Sequence, residues 1–267
     1  METLLIEIND AIAHIKINRP ERANALNTQA WNELQQVFDD LDENPAIRVI
    51  VLSGEGKHFC SGIDLDLLMS VTQVNQVTCD GRKREQLRKM ILKLQAPINA
   101  IENCSKPVLA AIHGGCIGGG VDVISACDMR YCTDDAFLCI REIDMGMVAD
   151  LGTLQRLPKL IAEGIVREMA YTGRNVLGKE AEKIGLANRT FENKETMLQE
   201  VMLIAKQIAA KSPLSIRGTK HILLHTRDHS VADGLNYMAT WNAAMLLSND
   251  LNEAFQAKME KRGASFE

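Results

Sequence analysis

No stretch of this chain reaches the roughly 18 consecutive apolar residues that span a bilayer, so no membrane partner is expected. The seven cysteines are odd in number and contain no Cys-x-x-Cys pair, which argues against a disulfide framework and favours reduced thiols. Neither sign of charge dominates. With 30 basic and 35 acidic side chains the net charge is −5, and such a field does not favour nucleic acid. The amino terminus, Met1-Glu-Thr-Leu-Leu-Ile-Glu-Ile8, is acidic and strand-like, unlike a signal or transit peptide. The carboxyl end, Gly263-Ala-Ser-Phe-Glu267, carries no Ser-Lys-Leu address. With the reduced thiols, these ends predict a cytoplasmic location. Internal repeats, low-complexity segments and flexible linkers are also missing. What is present is ordinary: 267 residues, 46% apolar and 24% charged, enough for one large domain or a domain with an appendage.

Read in order, Thr3 to Ile8 and Ala11 to Ile17 form a hairpin around Asn9-Asp10, and Asn27 to Leu41 is a helix. Arg48 to Leu52 lacks polar alternation, as a strand buried on both faces does. Residues from about Asp66 to Glu102 read as mainly helical, with irregular chain near Cys79 to Gly81. Pro107 to Ile112 is a further buried strand, and another follows near Ala136 to Ile140. Short helices are expected over Gly152 to Pro158, Gly164 to Thr172 and Gly178 to Ile184, then a strand over Leu186 to Phe191. From Asn193 the text is almost wholly helical: Lys194 to Lys211, Pro213 to Thr226, Val231 to Leu247 and Asp250 to Arg262. Ser212-Pro213 suits the second of these as a cap followed by proline in the first turn. Val231 to Leu247 carries Leu235, Met238, Trp241, Met245 and Leu246 on more than one face, which predicts a homo-oligomer built on this region.

The chemistry concentrates between Ala110 and Asp150. His113-Gly-Gly-Cys-Ile-Gly-Gly-Gly120 holds five glycines in eight residues, a composition suited to sharp bends or close approach of backbone to a ligand. It fits neither the dinucleotide fingerprint nor a P-loop, since the third glycine and a closing Gly-Lys-Ser/Thr are both missing. A helix beginning near Val121 leaves outward N–H groups able to hold a developing negative charge. Asp122, Glu142 and Asp150 follow closely. Glycine donors beside spaced acids point to proton chemistry next to a stabilised oxyanion, although tight packing and the helix dipole explain single members of the set equally well.

Three other features compete for attention. His221, His225 and His229 have ligand-like spacing, but the third falls at a helix end and no fourth ligand is evident, so no metal is expected. The basic group Arg82, Lys83, Arg84, Arg88, Lys89 and Lys93 reads as a solvated helix face. Cys116 has no candidate base nearby in sequence and reads as a small packing residue.

Phe59-Cys-Ser-Gly-Ile-Asp-Leu65 and His113-Gly-Gly-Cys-Ile-Gly-Gly-Gly-Val-Asp122 together resemble the paired signature of the crotonase family, the enoyl-CoA hydratases and isomerases. Supporting matches run through the chain: Asn18-Arg-Pro, Asn24-Ala-Leu-Asn27, Lys106-Pro-Val, Cys127-Asp-Met-Arg130, Gly152-Thr-Leu-Gln-Arg156, Thr172-Gly173 and Ser212-Pro213. The resemblance implies an α/β spiral of β-β-α units over 1–192 holding the active site. It also implies a C-terminal helical trimerisation region over 193–267, giving a homotrimer or a hexamer. It implies an acyl-CoA thioester substrate, an enolate held by the backbone N–H groups of Ile63 and Gly119, and no cofactor, CoA being part of the substrate. Ser61, Gly62, Ile63, Asp64 and Leu65 would line the pantetheine and thioester path, with Arg22 and Lys57 near the CoA phosphates.

The acids narrow the resemblance. Two carboxylates, at Asp122 and Glu142, match the hydratases. The third, in Val148-Ala-Asp-Leu-Gly152, resembles the dienoyl-CoA isomerases, as do Arg227-Asp-His-Ser-Val-Ala-Asp-Gly-Leu-Asn-Tyr237 and Trp241-Asn242. Those enzymes convert 3,5-dienoyl-CoA to 2,4-dienoyl-CoA in breakdown of unsaturated fatty acids. The likeness assigns Asp150 as base at C2, Glu142 as acid at C6 and Asp122 as a tuning neighbour. A 2-enoyl-CoA hydratase and an RNA-binding crotonase homologue remain the alternatives.

Overall fold

Leu4–Asn9 (β1) and Ile12–Ile17 (β2) pair antiparallel across Asp10-Ala11, both at positive φ, the backbone twist a two-residue hairpin needs. The computed structural model describes residues 1–70 and 78–266. From β2 the sheet grows by parallel pairing through Val49–Gly54 (β3), Val108–Ile112 (β4), Met129–Thr133 (β6) and Arg189–Phe191 (β9). Parallel strands need cover on both faces, and β3 shows why its sequence does not alternate. Ile50 and Leu52 join one core cluster, while Val49 and Val51 join the other, against Met197, Val201 and Ala205 of Lys194–Ala209 (α8).

A smaller sheet orders Gly115–Ile117 (β5), Phe137–Cys139 (β7) and Val176–Leu177 (β8). Two successive turns of the chain put one strand in each sheet before a helix. β4 and β5 lead to Gly119–Ala126 (α4), and β6 and β7 lead through a 3-10 turn, Glu142–Met145, to Thr153–Arg156 (α5). The preceding turn runs β3, a bridge from Cys60 to Cys116, then Leu65–Ser70 (α2) and Asp80–Asn103 (α3). This stacking of β-β-α units is the expected crotonase spiral. Thr28–Glu43 (α1) covers it, started by Asn27, whose side chain accepts from Ala30 N at 2.9 Å.

The structure adds what periodicity did not supply. The glycine run contains β5, and α4 begins at Gly119 rather than Val121. Strand β6 is unmarked in the sequence because Arg130 looks solvent-directed. It is buried, with Nε donating to Leu186 O and Nη1 to Cys127 O, both at 2.8 Å. Asp80 and Gly81 belong to α3, so only Cys79 remains of the expected irregular stretch. The rest of that helical expectation, at 71–77, lies outside the described residues.

The helical region is not uniform. Helix α8 completes the second core cluster, whereas Pro213–Arg227 (α9), Val231–Met245 (α10) and Asn249–Glu260 (α11) contribute few buried residues. His221, His225 and His229 pack as rings: His225 stacks on His229 at 3.9 Å, and His221 on Trp241 at 5.1 Å. Among the described residues no helix is long and apolar enough to cross a membrane.

Candidate active site

Two backbone amides from adjacent turns of the spiral meet between the sheets. Cys60 N donates to Gly115 O at 3.1 Å and Ile117 N to Cys60 O at 2.9 Å, so Phe59 to Ile63 is zipped alongside β5. A methyl group added at Gly119 would lie 3.5 Å from Ile63 N, and one added at Gly62 would lie 3.3 Å from Gly119 N. Gly119 is the first residue of α4, where an N–H has no intrahelical acceptor. Ile63 N is also free, because the parallel bridge to Leu26 uses Gly62 O and Asp64 N instead. Among the described residues neither amide donates to a protein acceptor. Two unengaged donors side by side can bind one oxyanion.

The three acids stand in different states. Asp122, in the first turn of α4, is 1% exposed and accepts from Thr153 N at 2.7 Å. Burial pushes its carboxyl up to about 6, with the charge of Asp150 adding to the shift. Glu142 opens the 3-10 turn after β7; burial, then the charges of Asp122 and Asp150, raise it to about 7. Its Oε2 is buried with no partner among the described residues, a state that suits a neutral carboxyl group. Asp150 lies on an exposed segment, yet partial desolvation still raises its carboxyl. The charge of Asp150 acts on both Asp122 and Glu142, and that of Asp122 on Glu142, so the three carboxyl groups lie within electrostatic reach.

Glycine at 118 is enforced twice. Its backbone sits at φ 50°, ψ −115°, and a side chain there would come within 3.1 Å of Glu142 Oε1. The bend that presents Gly119 therefore also leaves room for the Glu142 carboxyl group.

The remaining sequence candidates divide. Ser61 N donates to Ala23 O at 3.0 Å, and Gly62 O accepts from Leu26 N at 2.8 Å, fixing this path against the segment before α1. Asp64 is buried, bonded to Arg19 at 3.0 Å and to Asp66 N at 3.1 Å; these bonds hold its carboxylate below the usual range despite burial. Its carboxylate is thus occupied in holding the loop. Leu65 is exposed at the start of α2, and Arg22 is exposed with its guanidinium 3.8 Å from Asp66. Lys57 is exposed in the loop after β3. Cys116 is fully buried and its thiol is pushed well above its ordinary value by burial, as befits a packing residue. In the basic stretch, Arg82, Arg84, Arg88, Lys89 and Lys93 are exposed, and Lys89 pairs with Glu85 at 3.0 Å. Sequence reasoning missed Gln95, Asn99 and Glu102 on α3, which reach the Asp150 segment directly or through Arg156. Their i, i+4, i+7 spacing was the available signal, but it also describes any solvated face.

The chain is similar to known proteins over its whole length. The family model described as enoyl-CoA hydratase/isomerase matches residues 7–267. A peroxisomal Delta(3,5)-Delta(2,4)-dienoyl-CoA isomerase of Arabidopsis thaliana is 50% identical over 267 residues, covering 100% of this chain and 96% of the relative. A mitochondrial protein of the same name from Mus musculus is 47% identical, over 94% of this chain and 77% of its own length. The crystal structure of an enoyl-CoA hydratase from Bacillus anthracis superposes with a TM-score of 0.89 at 28% identity, covering 99% of this chain and 98% of that one. The names overturn the cytoplasmic expectation, because these relatives are peroxisomal and mitochondrial. Location is set by addresses that receptors read, and composition and thiol state do not encode it. From the paired signature, the spiral and these matches together, the chain belongs to the crotonase family of enoyl-CoA hydratases and isomerases.

Proposed function

We propose that this protein is a dienoyl-CoA isomerase, converting a 3,5-dienoyl-CoA to the 2,4-dienoyl-CoA in oxidation of unsaturated fatty acids. The observation that supports the reading is the third acid, Asp150, whose charge acts on both Asp122 and Glu142, together with the free amides of Ile63 and Gly119. The thioester carbonyl oxygen sits between those two N–H groups. Asp150 takes a proton from C2, and the electron pair spreads over the conjugated enolate as charge develops on that oxygen. Glu142, which burial holds partly protonated near neutral pH, delivers a proton to C6; the double bonds then stand at C2–C3 and C4–C5. One proton leaves and one arrives, no electron is transferred, and the chemistry needs no cofactor. Asp122 stays in place as a buried acceptor whose charge state tunes both neighbours. Ser61 to Leu65 line the thioester path, and Arg22 and Lys57 supply positive charge for CoA phosphates. The working unit is a homo-oligomer, a trimer or a pair of trimers, in which copies of this chain cover the groove between α9, α10 and α11.

Parallel assays with a 3,5-dienoyl-CoA and a 2-enoyl-CoA test the reading. The expected outcome is rapid isomerisation of the first and slow or no hydration of the second. Hydration without isomerisation would overturn it in favour of a hydratase.

A further inference from the structure

Asp150 stands between the 3-10 turn and α5, in a segment with no regular backbone bonding, and it is exposed. A general base needs a fixed position, and a misplacement of about 1 Å can cost about 10²-fold in rate. The segment gets that definition from outside. Gln95 Nε2, on α3, donates to the Asp150 backbone O at 2.6 Å. At Gly152 (φ +129°) the guanidinium of Arg156 fills the space a side chain would take, with Nη1 1.8 Å from the position of an added methyl group. Arg156 is buried and is held by α3 in turn, Nη2 donating to Asn99 Oδ1 at 2.8 Å and to Glu102 Oε2 at 2.9 Å. Burial works against an ionised Glu102, yet bonds from Arg156 and from Arg227 at the end of α9 hold it below the usual carboxylate range. A solvated helix face does not bury an arginine or bridge two of them.

We propose that this polar face of α3 positions the base of the proposed isomerase: Gln95 fixes Asp150 through its carbonyl, while Asn99 and Glu102 fix Gly152 through the Arg156 guanidinium. These are positioning residues; none touches substrate. Arg227 belongs to the stretch that resembles the isomerase subgroup, and its bond to Glu102 gives that stretch a role in holding the base. The proposal rests on Asp150 being the C2 base.

Gln95→Met keeps length and removes the donor at a half-buried site, so the fold is expected to survive. Arg156→Lys keeps the charge and loses the planar fork that reaches two acceptors. Each variant is expected to lower kcat by about 10- to 100-fold with KM within about twofold, and to slow C2 proton exchange with deuterated water by the same factor. In an Asp150→Asn background Gln95→Met should then cost nothing further, because the two act as one unit. If Arg156→Lys does not fold, Gln95→Met decides alone. Parent kcat and parent exchange in folded Gln95→Met overturn the positioning role. A rate loss carried by KM, or one that persists undiminished in the Asp150→Asn background, overturns it as well. The underlying assignment fails separately: Asp150→Asn itself would keep C2 exchange at the parent rate.

Discussion

The segment from β4 to Asp150 and the helices from Pro213 onward treat apolar side chains in opposite ways. In the first, Val108 to Ile112, Val121, Val123, Ile124, Leu138 and Ile140 are buried within one chain. In the second, Leu235 is 66% exposed, Val231 74% and Leu247 91%. A groove of about 610 Å³ between α9, α10 and α11 is lined by Leu214, Ile222, Met238, Trp241, Met245 and Leu251. The strands and α4 of the catalytic region are thus covered within a single chain, with exposed apolar side chains confined to Ile143, Met145 and Val148, whereas the helical region leaves many more uncovered. Exposed apolar surface of this kind is what the proposed oligomer would cover. The comparison separates the proposed chemistry, which depends on what one chain folds around its acids, from the proposed assembly, which would depend on further copies.

The largest expected effect breaks the chemical side alone. Asp150→Asn keeps the shape and removes the base, so isomerisation should fall by about 10²- to 10⁴-fold while acyl-CoA still binds. Exchange of the C2 proton with deuterated water measures the step directly. Gly119→Pro comes next. Gly119 is the first residue of α4 and is not at positive φ, and proline is tolerated at that helix position. The variant should fold by circular dichroism yet lose about 10²- to 10³-fold in kcat through the missing donor. A near-normal rate in the folded variant would remove Gly119 from the oxyanion pair.

Glu142→Gln should cost product formation about 10²-fold while C2 exchange persists, since the residue is assigned to C6. The same residue sets a pH dependence. Its folded value, about 7, lies above the ordinary 4.5, so the folded state holds the extra proton. That stabilisation is complete below about pH 4.5 and is lost as pH rises through 7, on the order of 3 kcal/mol. Urea titrations at pH 5 and pH 8 should show this loss in the parent, diminished in Glu142→Gln. The kcat profile should fall above about pH 7 as the acid ionises. The smallest effect on chemistry tests the other side of the comparison. Leu235→Lys places charge on the exposed face of α10 and should shift sedimentation toward monomer while far-UV circular dichroism stays unchanged. A parent protein that sediments as a monomer at micromolar concentration removes the assembly argument.

Much of the fold was legible where one physical demand controlled the residues. After Arg48, Val49 to Leu52 is apolar throughout, as is Pro107 to Ile112, because parallel strands are covered on both faces, and both stretches became strands. The Ser212 cap fell where its side chain was expected, accepting from Ser215 N. Strand β6 escaped because Arg130 spends its donors on backbone carbonyls inside the protein, which composition does not reveal. β5 escaped because three residues of a glycine run become a strand only when Phe137 to Cys139 lies beside them. Gln95 and Asn99 carried no distinguishing mark, since an amide that holds a catalytic loop is spelled like one that meets water.

The sequence by itself determined the chemical inventory: a glycine bend ahead of a helix, a second glycine-bearing stretch, three acids, and the order of elements that makes them a crotonase chain. It could do so because glycine conformations and carboxylate chemistry belong to residue types. Only the tertiary structure decided which amides are free and adjacent, since Ile63 and Gly119 meet through stacking of successive turns. It also decided how the acids differ. Burial with no partner raises Glu142 to about 7, a bond from Thr153 N anchors the buried Asp122, and an exposed loop held by α3 presents Asp150. Desolvation and hydrogen bonding are properties of place, and three identical functional groups acquire three roles from where the fold puts them.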